Sequence, residues 1–200
     1  MKKKILLSFG TALTVATILI SCDSKKTGKD ASASTSATTV TNDSLIKRGG
    51  YLVSISGCDD CHTPKKFGPM GPEPDMERRL SGYRSDVTFG SVDTNVIKKG
   101  WALVNGELTG WAGPWGASFS ANLTSDATGI GNWTEEQFEK AIRKGKWKGM
   151  DGNRTLLPPM PWQNFKNFTD EDVKAIFSFL KTTKPVENVE PPVKTFAELK

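Results

Sequence analysis

Histidine and cysteine are scarce in this chain, whose 200 residues include one histidine, His62, and three cysteines. A single histidine excludes a metal site built from several histidines, and it allows a Ser-His-Asp triad only at His62. Hydrophobic residues make up only 36% of the chain, whereas glycine (19) and proline (11) are plentiful. We therefore expect one domain with appendages, and a core that gains from a cofactor with apolar bulk.

The formal net charge of +5 does not indicate a nucleic-acid partner once the positions of the charges are considered. Lys2, Lys3 and Lys4 lie directly before an apolar run, and residues 1–21 contain no acidic residue. Without residues 1–21, lysine and arginine fall from 27 to 24 against 22 acidic residues, and the net charge falls to +2. We expect no nucleic acid among the partners.

Residues 1–21 have the features of a secretory signal peptide. A basic start is followed by an apolar stretch from Ile5 to Ile20, which is short for a membrane-spanning helix. The stretch ends in Leu19-Ile20-Ser21-Cys22, which resembles the bacterial lipobox. We expect Cys22 to be lipidated and to anchor the protein on the periplasmic side of a bacterial membrane. The alternative is a plain signal peptide in which Cys22 is incidental, and the sequence does not distinguish inner from outer membrane.

The mature chain is predicted to have three parts. Residues 22–42 are rich in Ser, Thr, Ala, Lys and Asp and lack aromatic residues, which predicts a disordered tether. A flexible segment of this length has a typical reach of roughly 25 Å. Residues 43–188 are predicted to form the folded domain, and residues 189–200 a proline-containing tail on its surface.

Helix signals appear in three segments of the predicted domain. A first helix starts near Asn42 and stops at Gly57, and a second runs from a capping box at Thr134 to Gly145. A third is capped by Thr169, carries apolar residues at helical spacing and is stopped by Pro185. Residues 63–132 show no long periodic pattern, which favours loops with short elements.

The motif Cys58-Asp59-Asp60-Cys61-His62 is the C-x-x-C-H attachment sequence of c-type haem. Its two thiols are spaced to bond the two vinyl groups of one haem, and the next residue, His62, then reaches the iron. A zinc site would need ligands that the chain lacks, and a redox dithiol is typical of a strand context rather than a helical one. A disulfide between Cys58 and Cys61 would leave His62 without a role. We therefore predict one covalently attached haem c with its iron.

The sixth iron ligand must then be a residue other than histidine, and methionine is the natural choice. Met160 lies in a proline-rich loop, where the prolines restrict the backbone and lower the entropy cost of holding the thioether. Met150 lies between glycines, and Met70 and Met76 follow the haem motif too closely to reach its opposite side. We predict His62 and Met160 as the iron ligands. The sequence leaves open which of several side chains bind the haem propionates: Arg78, Arg79, Asn122 or Trp115.

The chain resembles the class I cytochrome c domains in the cytochrome subunits of membrane-bound bacterial alcohol dehydrogenases. Three signatures occur in the family's order: Gly49-x-Tyr51-Leu52 before the Cys58 motif, Ala121-Asn122-Leu123-Thr124-x-Asp126 leading to Trp133, and Pro159-Met160-Pro161-Trp162 before Thr169-Asp170. The resemblance implies an all-α cytochrome c fold with long loops between the haem motif and the C-terminal helices. It also implies that the first and last helices cross at Gly49, opposite Phe177 and Leu180, and that Met160 is the axial ligand.

One departure from these subunits affects the functional prediction. They carry three C-x-x-C-H motifs, whereas this chain has one. We therefore predict a free-standing, membrane-anchored carrier that exchanges electrons with redox protein partners and is not itself an enzyme. Two alternatives stay open: an electron-accepting subunit of a dehydrogenase or reductase, and a haem sensor with an open sixth coordination site.

Overall fold

The computed structural model describes residues 41–199. The predicted signal peptide, Cys22 and almost all of the tether lie outside the described residues. The described part contains six α-helices and five short strands. The helices are α1 (Asn42–Ile55), α2 (Cys58–His62), α3 (Thr94–Lys98), α4 (Glu135–Lys144), α5 (Trp162–Phe165) and α6 (Asp170–Leu180). The strands are β1 (Lys65–Gly68), β2 (Gly71–Pro74), β3 (Leu103–Val104), β4 (Gly110–Gly113) and β5 (Gly116–Phe119).

The three predicted helices are confirmed as α1, α4 and α6. The Thr41 side chain caps α1 by accepting a hydrogen bond from the Ser44 amide, and capping boxes start both α4 and α6. Gly145 ends α4 in the left-handed conformation, with φ of 63°. Within residues 41–199, no helix combines the length and apolar composition required to cross a bilayer.

The end of α6 differs from the prediction, because the helix stops at Leu180 rather than at Pro185. The hydroxyls of Thr182 and Thr183 donate hydrogen bonds of 2.7 Å to the carbonyls of Phe179 and Leu180. Side-chain donors thus satisfy the last open carbonyls of the helix, and a proline is not needed to end it.

The main core lies where α1 crosses α6, as the resemblance implied. A Cβ atom at Gly49 would overlap the backbone carbonyl of Ala175 and the Cβ of Phe179, so only glycine permits this approach. The residues of α6 nearest to Gly49 are Ala175 and Phe179, rather than Phe177 and Leu180, which the resemblance placed opposite it. Several side chains around this crossing are buried: Leu52, Val53, Phe138, Ile142, Ile176 and Leu180.

The fold is not all-α, and that prediction is wrong. Strands β1 and β2 form a two-stranded antiparallel sheet, and β3, β4 and β5 form a three-stranded antiparallel sheet. Both sheets lie in residues 63–132, where the sequence indicated only loops with short elements. The strands are two to four residues long, which is too short for an alternating pattern to be visible.

The segment after residue 188 contributes to the second sheet. Lys194 and Ala117 exchange two backbone hydrogen bonds of 2.8 and 3.1 Å, which continue the sheet beyond β5. Leu199 is 3% exposed and packs with Ile97, Ala112 and Ala117 in a second, smaller core. Val189 and Val193 are exposed, so this segment combines surface positions with a buried attachment to the domain.

Candidate haem-binding site

The three residues of the attachment motif lie on α2, a helix of five residues directly after α1. Gly57 joins the two helices in the left-handed conformation, with φ of 71°, which turns the chain sharply at this point. Cys58 and Cys61 are three residues apart in the helix, so both thiols project from the same side, and both are half-buried. The structure therefore brings the predicted attachment residues together on one short, well-defined element.

The imidazole of His62 is buried and held in one orientation. Its Nδ1 atom donates a hydrogen bond of 2.8 Å to the carbonyl oxygen of Ala121, which can only accept. Nε2 is therefore the nitrogen left for a metal. Burial lowers the pKa of His62 and keeps the ring neutral, as iron coordination requires.

The two motif cysteines are not paired in a disulfide. Burial, reinforced by the neighbouring Asp59 carboxylate, raises the pKa of the Cys58 thiol to about 12. Burial and Asp60 also raise the pKa of Cys61. Two unpaired thiols on one short helix, followed directly by a buried histidine, fit haem c attachment.

A bidentate ion pair attaches α2 to the chain that follows it. Arg79 donates hydrogen bonds of 2.9 and 2.7 Å to the two oxygens of Asp59, and Thr63 donates a third of 2.8 Å. Burial opposes ionisation of Asp59, but these bonds outweigh it and lower the pKa of the carboxyl group. Thr63 in turn accepts a hydrogen bond of 3.0 Å from the Leu80 amide, and Gly82 donates one of 2.8 Å to the carbonyl of His62.

Lys65 satisfies the open carbonyl groups at the end of α2. Its ammonium group donates to the carbonyls of Asp59, at 3.2 Å, Asp60, at 3.0 Å, and Thr63. A cation at this position complements the negative end of a helix. Burial lowers the pKa of Lys65, although the nearby acidic groups oppose that shift. The motif helix therefore carries a fixed positive charge beside its last turn.

Met160 lies in the loop before α5 and packs against the main core. Of the four methionines in residues 41–199, the other three are exposed, at 94% for Met70, 60% for Met76 and 55% for Met150. The loop is held from outside by Ser118, whose hydroxyl donates a hydrogen bond of 2.5 Å to the carbonyl of Pro158. Met160 is thus partly buried, and its role as an iron ligand stays a prediction.

Three of the four side chains that the sequence offered as propionate ligands have close protein partners, whereas Arg78 lies 3.9 Å from the carboxylates of Asp75 and Asp86. Arg79 binds Asp59, and Asn122 is buried, where its amide donates to the carbonyls of Val186 and Asn188 at 2.8 and 3.2 Å. The indole of Trp115 donates to Ser118 at 3.2 Å. These contacts give Arg79, Asn122 and Trp115 structural roles.

Sequence reasoning missed Ser118 and Ser120, which contact the candidate site from β5 and the residue after it. Ser120 donates a hydrogen bond of 2.6 Å to the carbonyl of Cys61. A signal was present in Gly113-Pro114-Trp115-Gly116, because proline followed two residues later by glycine is typical of a hairpin turn. Recognising this hairpin would have placed the two serines on one face of an extended segment.

The buried histidine, the two neighbouring thiols and the Arg79–Asp59 ion pair that holds α2 are the features of a haem-attachment site. The family model described as Cytochrome c matches residues 46–184, and the chain belongs to this family. Its cofactor is covalently attached haem c with its iron. Membership of this family is consistent with electron transfer.

Curated relatives of the chain include cytochrome subunits of several dehydrogenases. It is 33% identical over 148 residues to the fructose dehydrogenase cytochrome subunit of Gluconobacter japonicus, which is 73% of this chain and 23% of that protein. It is 32% identical over 147 residues to the alcohol dehydrogenase (quinone) cytochrome c subunit of Gluconobacter oxydans (strain 621H), covering 72% and 23%. It is 30% identical over 139 residues to the gluconate 2-dehydrogenase cytochrome c subunit of Pantoea cypripedii, covering 69% and 23%. The chain thus spans less than a quarter of the length of these relatives.

Proposed function

We propose that this protein is a membrane-anchored carrier with one haem, which moves electrons between redox protein partners and performs no chemistry on a substrate. The observation that carries the proposal is the state of His62. Its ring is buried, neutral and fixed through Nδ1, so Nε2 is left for iron. Within residues 41–199, Met160 is the one methionine that is partly buried rather than exposed, which supports it as the second axial ligand.

Each residue of the site has a distinct task in this proposal. Cys58 and Cys61 hold the haem through thioether bonds, and the bound haem supplies an iron that changes between the ferric and ferrous states. The hydrogen bond from His62 to Ala121 increases the basicity of the imidazole and fixes its orientation. The thioether of Met160 favours the ferrous state, because His/Met ligation raises the reduction potential.

The single attachment motif supports a carrier, whereas the relatives support a second candidate. The names of these relatives describe cytochrome subunits of dehydrogenases. The second candidate function is therefore that of a subunit, in which this chain would accept electrons from a dehydrogenase within a stable complex. Purification after detergent extraction of the membranes distinguishes the carrier from the subunit, because a free-standing carrier elutes as a single protein. Elution in fixed stoichiometry with a dehydrogenase would instead establish the subunit role.

The proposed location is the periplasmic side of a bacterial membrane, with Cys22 as the lipid anchor. It is supported by the basic and apolar residues before Leu19-Ile20-Ser21-Cys22. Mass spectrometry of the membrane-extracted protein tests it directly. We expect a mature N-terminus at an acylated Cys22, and we expect Cys22→Ser to release the protein from the membrane. A mature N-terminus at any other residue contradicts the anchor.

The axial ligands are tested by the absorption spectrum of the ferric holoprotein. Methionine coordination gives a weak far-red charge-transfer band, which a haem sensor with an open sixth site lacks. We expect the band in the wild type and in Met150→Ala, whose side chain is exposed, and we expect Met160→Ala to abolish it. A band that survives Met160→Ala, or its absence from the wild type, contradicts the proposed ligation.

A further inference from the structure

One extended segment contacts both the attachment motif and the methionine loop. Ser120 donates to the carbonyl of Cys61, and the carbonyl of Ala121 accepts from His62. Two residues before Ser120, Ser118 donates to the carbonyl of Pro158 in the loop that carries Met160. Side chains two residues apart in an extended strand share a face, so both serine hydroxyls leave the segment on the same side.

The methionine loop has few hydrogen-bond donors with which to fix itself. Its prolines, Pro158, Pro159 and Pro161, have no backbone N–H, and the Met160 amide reaches only Leu157, at 3.3 Å. Apart from the Leu156 amide, which donates to the carbonyl of Gly145 at 2.7 Å, the loop depends on donors from elsewhere in the fold. The bond of 2.5 Å from Ser118 to Pro158 is such a contact, and Ser118 is only 7% exposed.

Ser118 is itself held on both sides. The indole N–H of Trp115 donates to its hydroxyl oxygen at 3.2 Å, which orients the hydroxyl hydrogen toward Pro158 and strengthens both bonds. The strand that carries Ser118 is fixed by its pairing with β4 and by the two hydrogen bonds between Ala117 and Lys194. The loop is thus attached to a rigid support rather than to another loop.

We propose that Ser118 is a positioning residue for Met160. Its hydroxyl, oriented by Trp115, holds the proline loop against β5 and keeps the thioether at the iron. The inference rests on the proposed ligation by Met160. Losing the hydroxyl leaves the iron–sulfur bond in place but lets the loop move away more readily. External ligands then displace the methionine more easily, whereas haem attachment is unaffected.

The test is a titration of ferric holoprotein with imidazole, followed by loss of the far-red band. We expect Ser118→Ala to lower the half-saturating imidazole concentration about tenfold, the ratio that corresponds to about 1.4 kcal/mol. Ser125→Ala is the matched control, because Ser125 also donates one hydroxyl hydrogen bond to a backbone carbonyl, that of Thr183 at 2.6 Å. We expect the control to bind imidazole as the wild type does.

A second variant keeps the inference testable if Ser118→Ala yields no holoprotein. Trp115→Phe removes the donor that orients the hydroxyl while leaving Ser118 in place, and we expect a smaller shift, about threefold, in the same direction. Imidazole binding equal to that of Ser125→Ala, in either variant that folds, overturns the inference while leaving the ligation by Met160 intact. If the far-red band of the wild type is still present in Met160→Ala, both the ligation by Met160 and the inference are overturned.

Discussion

Arg79 binds both carboxylate oxygens of Asp59 on the short helix that carries the haem attachment motif, at 2.9 and 2.7 Å. The side chains are 33% and 25% exposed, so the pair is partly removed from water. The guanidinium also lies over the ring of Phe179, 5.5 Å from its centroid. Arg79 therefore connects the motif helix to α6, the last helix of the domain.

Arg79→Met should destabilise the holoprotein by about 1–3 kcal/mol, because it leaves the Asp59 carboxylate without its charged partner. Denaturant unfolding of the ferric protein measures this free energy. Lys184→Met is the control, since its ion pair with Glu77 is 66% and 83% exposed and should contribute little to stability. Equal losses in the two variants would show that the Arg79 pair has no special structural role.

The stability that Asp59 provides should depend on pH in a specific direction. The carboxyl pKa is lowered in the folded state, so its contribution is present above the unfolded value of 3.8 and is lost as the pH falls through the folded pKa. Unfolding free energies of the wild type and Asp59→Asn should therefore converge on acidification below about pH 4. A difference between the two proteins that is constant with pH would contradict the assignment.

Gly49→Ala should destabilise the crossing of α1 and α6 by about 1–3 kcal/mol, because the new methyl group meets the Ala175 backbone, which cannot yield locally. Thermal or denaturant unfolding measures the loss. Gly50→Ala is a neighbouring control on the same helix: its methyl group would meet the side-chain ring of Phe179 at 3.0 Å rather than any backbone atom, and alanine is the better helix former. We expect the unfolding free energy of Gly50→Ala to be close to that of the wild type. Equal losses of unfolding free energy in Gly49→Ala and Gly50→Ala would refute the close-approach explanation.

Lys65→Met should lower the midpoint potential of the haem, because a fixed positive charge beside the motif helix favours the ferrous state. A redox titration of the holoprotein measures the change. Lys66→Met removes the same charge from the adjacent, solvent-exposed position, and its effect should be smaller and more sensitive to salt. A larger decrease in Lys66→Met would contradict this account of Lys65.

The parts of the fold that the sequence predicted depend on local signals. Thr134 with Gln137 and Thr169 with Asp172 form capping boxes from side chains three residues apart, and the attachment motif spans five consecutive residues. These patterns are visible without any tertiary contact. The predicted cofactor followed from the motif, whereas Met160 as a ligand stays a prediction of the sequence with support from its burial.

The sheets were missed because their signal lies in the turns rather than in the strands. Gly68-Pro69-Met70-Gly71 and Gly113-Pro114-Trp115-Gly116 share one turn pattern, and each closes a hairpin. The Ser118–Pro158 bond joins residues 40 apart in the chain, and Ala175 meets Gly49 over a longer separation. Such pairings arise from the assembled fold, and no local pattern specifies them.

The hydrogen bonds that enclose the motif come from chain that is synthesised after it. The bond from His62 to Ala121 and the packing of α6 on α1 form only when residues far apart in the chain meet. In the unfolded chain, the two thiols lack these later contacts. Haem attachment before folding would therefore meet an open peptide, and the completed fold would then cover the attached group.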